Sequence, residues 1–388
     1  MRVIVSLLFI VFYLNCLAQD IEPHVICSTN EVSIVEYNQL KASYSDKTYH
    51  IPIVFHVFDP SDPEKRLSVE KAKRVVELLN VNFSGLHRDI ENVQSTFVNK
   101  IADCKIVFHL AKKDPYGNEI EGVTYHSKNF KGDNPGSNQT LKKAINWNTG
   151  SDYNGKQRYL QVWVTYNVNS DNNGTGWCYL PETDNGGKMA GPTYNYKYLG
   201  GGTDSSSDDV LTHEVGHYLG LSHTFGSSYT QCGDDGVEDT PETRCYTWKC
   251  KKGNLCQDGL VNTENFMDYS GCTSMFTKGQ AEVMRYWLAH RYRRDLWSDN
   301  NLKFTGIYDE VYVGIKDELE ENLKIYPNPT DGQINISGII NYKAELFDLL
   351  GNKLTESKNE PLNYNTPGIY FLKVSHRGYF VTKKVIIK

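Results

Sequence analysis

His213-Glu214-Val215-Gly216-His217-Tyr218-Leu219-Gly220-Leu221-Ser222-His223 is a metal site written along eleven consecutive residues. On an α-helix, positions four apart lie about 40° apart and one turn along, so His213 and His217 present their imidazoles to one point. Glu214 projects beside that point without being needed as a ligand. His223, six residues past His217, reaches the same point only if the helix stops and the chain turns. Gly220 is the residue able to take the positive φ of such a turn. Three neutral nitrogens with an open fourth position are the ligand set of a catalytic zinc. Zinc lowers the pKa of bound water from ~15.7 towards ~7 and polarises a carbonyl oxygen. Glu214 is then placed to take the proton and pass it to the leaving amine.

Composition adds bounds. The 388 residues are 39% hydrophobic and 23% charged, enough for a large core and more than one domain. A net charge of −6 without a basic tract excludes nucleic acid as the expected partner. Met1 to Ala18 has Arg2, a short apolar run and a small residue before Gln19, and is expected to be a secretory signal peptide. The run is too short to span a bilayer comfortably, and no other segment is expected to anchor the chain. Residues 19–48 have no apolar period and read as a prosegment. In it Cys27 offers a thiolate able to take the fourth zinc position and so confer latency.

Residues 49–298 read as the catalytic domain. Tyr49 to Val57 and Ile106 to Ala111 have the apolar, β-branched character of buried strands. Leu67 to Phe83 carries an amphipathic helical stripe, Asp114 to Asn118 a turn, and Tyr159 to Tyr166 an alternating strand. Gly174 to Pro181 is the expected edge strand against which an extended peptide substrate would pair. The Gly-rich run to Gly202 reads as a loop, and Asp208-Asp209 as the start of the metal helix. His50, His56, His87, His109 and His126 lack metal spacing and are expected to be structural. Cys232, Cys245, Cys250, Cys256 and Cys272 crowd one loop-rich stretch, where two disulfides are expected; Cys104 and Cys178 pair or stay buried. Asp234 to Thr240 gathers hard oxygen ligands on a turn, which suits calcium. Thr277 to Arg294 reads as a closing helix and residues 299–322 as a linker. Residues 323–388 show short alternating strands, the pattern of a small all-β sandwich.

The motif matches H-E-x-x-H-x-x-G-x-x-H in full and so resembles the metzincin metallopeptidases. Thr224-Phe225-Gly226, Asp234 to Pro241, Phe266 to Tyr269 and Met275 to Thr277 make it similar, within them, to the pappalysin family. The implied fold class is α+β: a mixed twisted sheet with an active-site helix, followed by the sandwich. The implied activity is that of a secreted zinc endopeptidase acting on extracellular proteins. The resemblance makes Met267 the Met-turn residue beneath the metal and Tyr269 a partner of the scissile-bond oxyanion or of the zinc. It makes Cys27 a cysteine switch and Asp235, Glu238 and Thr240 calcium ligands. It implies Cys232–Cys256 and a bridge from either Cys245 or Cys250 to Cys272, this chain having one Cys more than the family pattern. Several Arg-preferring relatives carry an Asp directly before that last Cys; Gly271 stands there instead, so a preference for Arg after the scissile bond loses its ion pair. No Arg occurs between Gln19 and Arg66, leaving Lys41 and Lys47 as prosegment sites.

The Tyr326-Pro327-Asn328-Pro329 opening and the Lys-rich end resemble the C-terminal sorting domain of type IX secretion, which implies secretion machinery as a partner and a secreted or cell-surface location. The competing expectations are a carbohydrate- or protein-binding module for that segment, and an adhesion protein on a zinc-peptidase fold for the whole. Glu214 weighs against the latter, since a structural site has no use for a carboxylate beside an open metal position.

Overall fold

The computed structural model describes residues 47–58, 67–126, 142, 145–148, 157–165, 175–181, 183–184, 187–199, 209–227, 231–244, 250, 254–256, 259–289, 291–311, 321–339, 342–376 and 379–388. The expected signal peptide, nearly all of the prosegment with Cys27, and Cys245 lie outside the described residues.

The apolar run from Tyr49 becomes β1 (Tyr49–Phe58), a strand buried on both faces. Its neighbours are parallel, the setting in which packed elements cover both faces of a sheet. Its first half pairs with β2 (Ile106–Leu110), its second half with β3 (Val123–His126), and its centre with β4 (Leu160–Thr165). The sheet continues to β6 (Thr193–Asn195) and ends at β5 (Gly176–Trp177), which runs antiparallel to β6. Under one face lies α1 (Val69–Phe83), started by the Ser68 hydroxyl accepting the Lys71 N–H at 3.1 Å. Ala72, Val75, Val76, Leu79 and Phe83 form its buried stripe. After the short α2 (Ser95–Val98), the metal helix α3 (Val210–Tyr218) packs on the same side. Asn82 of α1 donates to Thr212 at 2.8 Å and to Asp209 at 3.0 Å, fastening the two helices at the start of α3.

On the opposite face His56 is fully buried, bonded to Thr124 at 2.9 Å and Gln161 at 3.0 Å, and burial pulls its pKa down to about 3. It is a neutral structural histidine, as its lack of metal spacing implied.

Two expectations are corrected. The Gly-rich run before the metal helix is not simply a loop: it contains β6, the strand that holds the edge in place. The expected linker also begins too early. Beyond α4 (Lys278–Ala289), α5 (Asp299–Phe304) and the residues to Val311 fold onto the sheet of β1. Asn301 donates to the Arg158 carbonyl at 2.8 Å, the Thr305 carbonyl accepts from Lys112 and Lys113, and Glu310 pairs with His109 and Lys112. Leu302, Ile307 and Val311 carry the apolar spacing that the neighbouring acidic residues obscured.

A small antiparallel pair, β7 (Asn254–Cys256) and β8 (Gly259–Leu260), lies between α3 and α4 in the chain. The C-terminal segment is a sandwich. One sheet is β13 (Leu362–Asn363), β10 (Gln333–Ser337) and β9 (Lys324–Tyr326). The other is β12 (Lys353–Lys358), β11 (Tyr342–Phe347), β14 (Gly368–His376) and β15 (Tyr379–Ile387). Ile334 and Leu362 from the first meet Leu346, Leu372, Val374 and Val385 from the second in one core.

Candidate metal centre

His213 and His217 lie one turn apart on α3, and the helix ends at Tyr218. Gly220 takes φ +93°, and a Cβ there would overlap the Trp287 indole, so both conformation and space demand glycine. The turn brings His223 back to the other two. The three Nε2 atoms, on three buried side chains, form a triangle with sides of 3.1, 3.1 and 3.2 Å. It is the one cluster of three or more metal-capable side chains among the described residues.

The second nitrogens set the tautomers. His213 Nδ1 lies 2.7 Å from the Phe266 carbonyl and His217 Nδ1 2.7 Å from the Leu221 carbonyl. A carbonyl only accepts, so both Nδ1 atoms carry hydrogen and both Nε2 atoms present lone pairs. Burial, with the neighbouring imidazoles second, holds His213 at about 3 and His217 well below the ordinary histidine range; burial alone brings His223 to about 3. Lone pairs 3.1 Å apart repel unless they share a cation. Points about 3.1 Å apart lie roughly 1.8 Å from their common centre, inside the ~2.0–2.1 Å zinc–nitrogen distance, so one zinc ion can reach all three.

Glu214 is fully buried beneath the edge strand: a Cβ on Gly176 would come within 2.5 Å of its Oε1. Sequence reading took Gly176 as one residue of an edge strand and missed this contact. Asn195 N–H donates to the Thr175 carbonyl, so the next pair, Gly176 with Tyr194, turns its polar backbone groups away from β6. Among the described residues no strand lies on that open side of β5.

Met267 is fully buried against α3, where a Cβ on Gly216 would overlap its sulfur. Asn265 holds it by accepting the Met267 N–H at 2.9 Å, and Thr224 donates to the Met267 carbonyl. The Tyr269 ring lies 4.7 Å from that of His223 and 5.0 Å from that of Phe225, which stacks on His223 at 4.8 Å. Met267 thus lies against the metal helix and Tyr269 against the rings of His213 and His223, Glu214 follows His213 on the same helix, and Cys27 lies outside the described residues. Asp209 stands at the start of α3 without capping it; its carboxylate accepts instead from Asn82 and Thr273.

Among the described residues the disulfides are Cys232–Cys256 and Cys250–Cys272, which resolves the choice left open between Cys245 and Cys250. Cys104 and Cys178 are unbridged and buried, and burial raises both thiols, Cys178 to about 12. Of the calcium candidates, Asp235 and Thr240 touch, Oγ1 lying 2.5 Å from Oδ1, while Glu238 is exposed. Burial raises Asp235 to about 8, and its Oδ2 finds no hydrogen-bond partner among the described residues.

Residues 125–289 match the peptidase family described as pregnancy-associated plasma protein-A. They are a pappalysin domain. Residues 324–388 match the secretion system C-terminal sorting domain, which marks the chain for export to the exterior or cell surface. Mature mirolysin from Tannerella forsythia, solved in complex with a cleaved peptide, is 28% identical with a TM-score of 0.57, the match covering 67% of this chain and 99% of that one. A promirolysin mutant from the same organism is 29% identical, with a TM-score of 0.55, over 67% of this chain and 88% of that one. An extracellular metalloprotease of Podospora anserina is 31% identical over 214 residues, 52% of this chain and 66% of the relative. One from Arthroderma benhamiae is 38% identical over 122 residues, 28% of this chain and 41% of the relative. The chain therefore spans less than two thirds of these curated relatives. The pappalysin domain has the α+β architecture of the mirolysin structures, and no helix among the described residues is long and apolar enough to cross a membrane.

Proposed function

We propose that the protein is an exported zinc endopeptidase that cuts extended protein or peptide segments lying along β5. The observation carrying this is the triangle of inward lone pairs on His213, His217 and His223, with Glu214 buried next to His213 on the same helix. These three histidines would hold zinc, which when bound supplies Lewis acidity towards the scissile carbonyl and acidifies water. Gly176 offers its N–H and C=O to the substrate backbone, fixing the peptide antiparallel to the edge. Glu214, enclosed under that strand, takes a proton from the attacking water and delivers it to the leaving nitrogen. Tyr269, packed against His223, donates to the oxygen on which charge develops. Met267 supports the histidines from below.

Latency through the Cys27 thiolate, removal of residues 19–48, and engagement of secretion machinery by the sandwich belong to the same proposal. So does calcium at Asp235, Glu238 and Thr240: burial holds the Asp235 carboxyl in its neutral form with Oδ2 unpartnered, and a cation bound there would favour the ionised form instead. With Gly271 at the position before Cys272, we expect no strong preference for Arg after the cut.

The test compares full-length wild type with Glu214→Gln on a denatured protein, zinc being quantified in both. The variant keeps its zinc and loses ~10²–10⁴ in rate. Cleavage by the zinc-loaded variant at the wild-type rate removes Glu214 from the mechanism. A zinc-loaded, processed wild type that cuts nothing in a broad panel removes the peptidase assignment.

A further inference from the structure

The described residues connecting β5 to β6 are mostly buried and irregular, so several of their carbonyls take donors from elsewhere. The Trp163 N–H takes the Pro192 carbonyl at 2.9 Å, and Gln157 takes that of Gly187 at 3.0 Å. Arg293 holds Asp184 at 2.9 Å, and Asp184 accepts the Gly187 N–H. Two further carbonyls, Met189 at 2.9 Å and Gly191, are taken by the ammonium of Lys142.

A fully buried lysine is an expensive way to satisfy two neutral carbonyls, because a cation loses far more hydration than an amide or hydroxyl. Its position explains what the charge does. The ammonium lies 4.9 Å from the Trp163 ring centre on β4 and 5.4 Å from that of Tyr179, two residues past the end of β5. Gly191, pressed so close to β4 that a Cβ would overlap the Gln161 carbonyl, is two residues ahead of β6. One cation therefore touches the chain just after β5 and just before β6. Asp184 and Glu214 add longer-range attraction that favours the charged form, against the burial that lowers its pKa to about 8.

We propose that Lys142 is the positioning residue of the peptide-binding edge: it ties Tyr179, Met189 and Gly191 into one unit and so sets where Gly176 lies relative to the metal centre. This rests on the peptidase reading, and it concerns substrate binding rather than proton transfer.

The test uses the full chain as wild type, Lys142→Met and Lys142→Arg, with zinc content, thermal unfolding, kcat and KM on a long peptide, and amide exchange over residues 176–178 and 193–195. The Met variant is expected to keep its zinc and to raise KM roughly tenfold with kcat little changed, the signature of lost uniform binding. Exchange at Thr193 to Asn195 should quicken at least about tenfold, and Arg, which keeps the cation, should recover much of both effects. Unchanged KM and exchange, or a loss confined to kcat, overturns the proposal. So does equal impairment of folded Met and Arg variants. If the Met variant does not fold, Lys142→Gln carries the same criteria, and if that also fails Lys142 is a folding residue and the proposal falls. A wild type without peptidase activity defeats the peptidase reading in its own arm, while the exchange data still decide the positioning role.

Discussion

Gly176→Ala tests the contact between the edge strand and the buried carboxylate. A Cβ at this position meets Glu214 Oε1 at 2.5 Å and its Cδ and Cγ at 2.7 Å, where ordinary contact begins near 3.4 Å. Either β5 lifts or the carboxylate retreats, by about 0.9 Å. Neither can move freely: β5 is paired to β6, and Glu214 lies on a helix whose every residue is buried. A misplacement of ~1 Å at a reacting group costs up to ~10²-fold, so kcat/KM should fall by roughly 10- to 100-fold, about 1.4–2.7 kcal/mol in the barrier. The overpacking should also cost about 1–3 kcal/mol of stability. The assay is kcat/KM with zinc content and thermal unfolding measured on the same preparations. The double variant with Glu214→Gln should be no slower than Glu214→Gln alone, because both changes act through one group. A Gly176→Ala protein that keeps its zinc and cuts within twofold of wild type would refute the contact.

Two further outcomes follow from other parts of the molecule. The hydrogen bond from His109 and the ammonium of Lys112 pull Glu310 down to about 2, below its ordinary 4.5, so the stability it gives is present above ~4.5 and lost as pH falls towards 2. Because Glu310 is 40% exposed, Glu310→Gln should cost no more than about 1 kcal/mol near pH 6 and almost nothing near pH 2, read by denaturant unfolding across pH. In the sandwich, the Asn328 side chain donates to the Lys384 carbonyl at 2.9 Å and accepts the Ile386 N–H at 3.0 Å, capping the outer edge of β15. Asn328→Ala should weaken amide protection along β15 by about 1–2 kcal/mol in hydrogen exchange; unchanged protection would mean that the Thr330 backbone holds the edge alone.

What the sequence determined by itself was whatever is decided within a few residues. The H-E-x-x-H spacing and Gly220 place three imidazoles at one point because helix geometry and a positive φ are local properties. The Asp114-Pro-Tyr-Gly-Asn118 turn shows the same thing. Its Asp oxygens take the backbone N–H groups two and four residues on and the Asn amide, and Asp348-Leu-Leu-Gly-Asn352 repeats the pattern in the unrelated sandwich. The apolar runs of β1 and α1 were equally legible, since burial has a period.

The tertiary structure decided whatever depends on residues far apart in sequence. That Gly176 must lack a side chain for the sake of Glu214, that Cys250 rather than Cys245 meets Cys272, and that β6 emerges from a glycine-rich run are all settled by distant neighbours. Lys142 is the sharpest case. Nothing about a lysine in a polar stretch announces burial, because the two carbonyls and two rings that accept its charge come from positions 163 to 191, and only folding brings them to one ammonium.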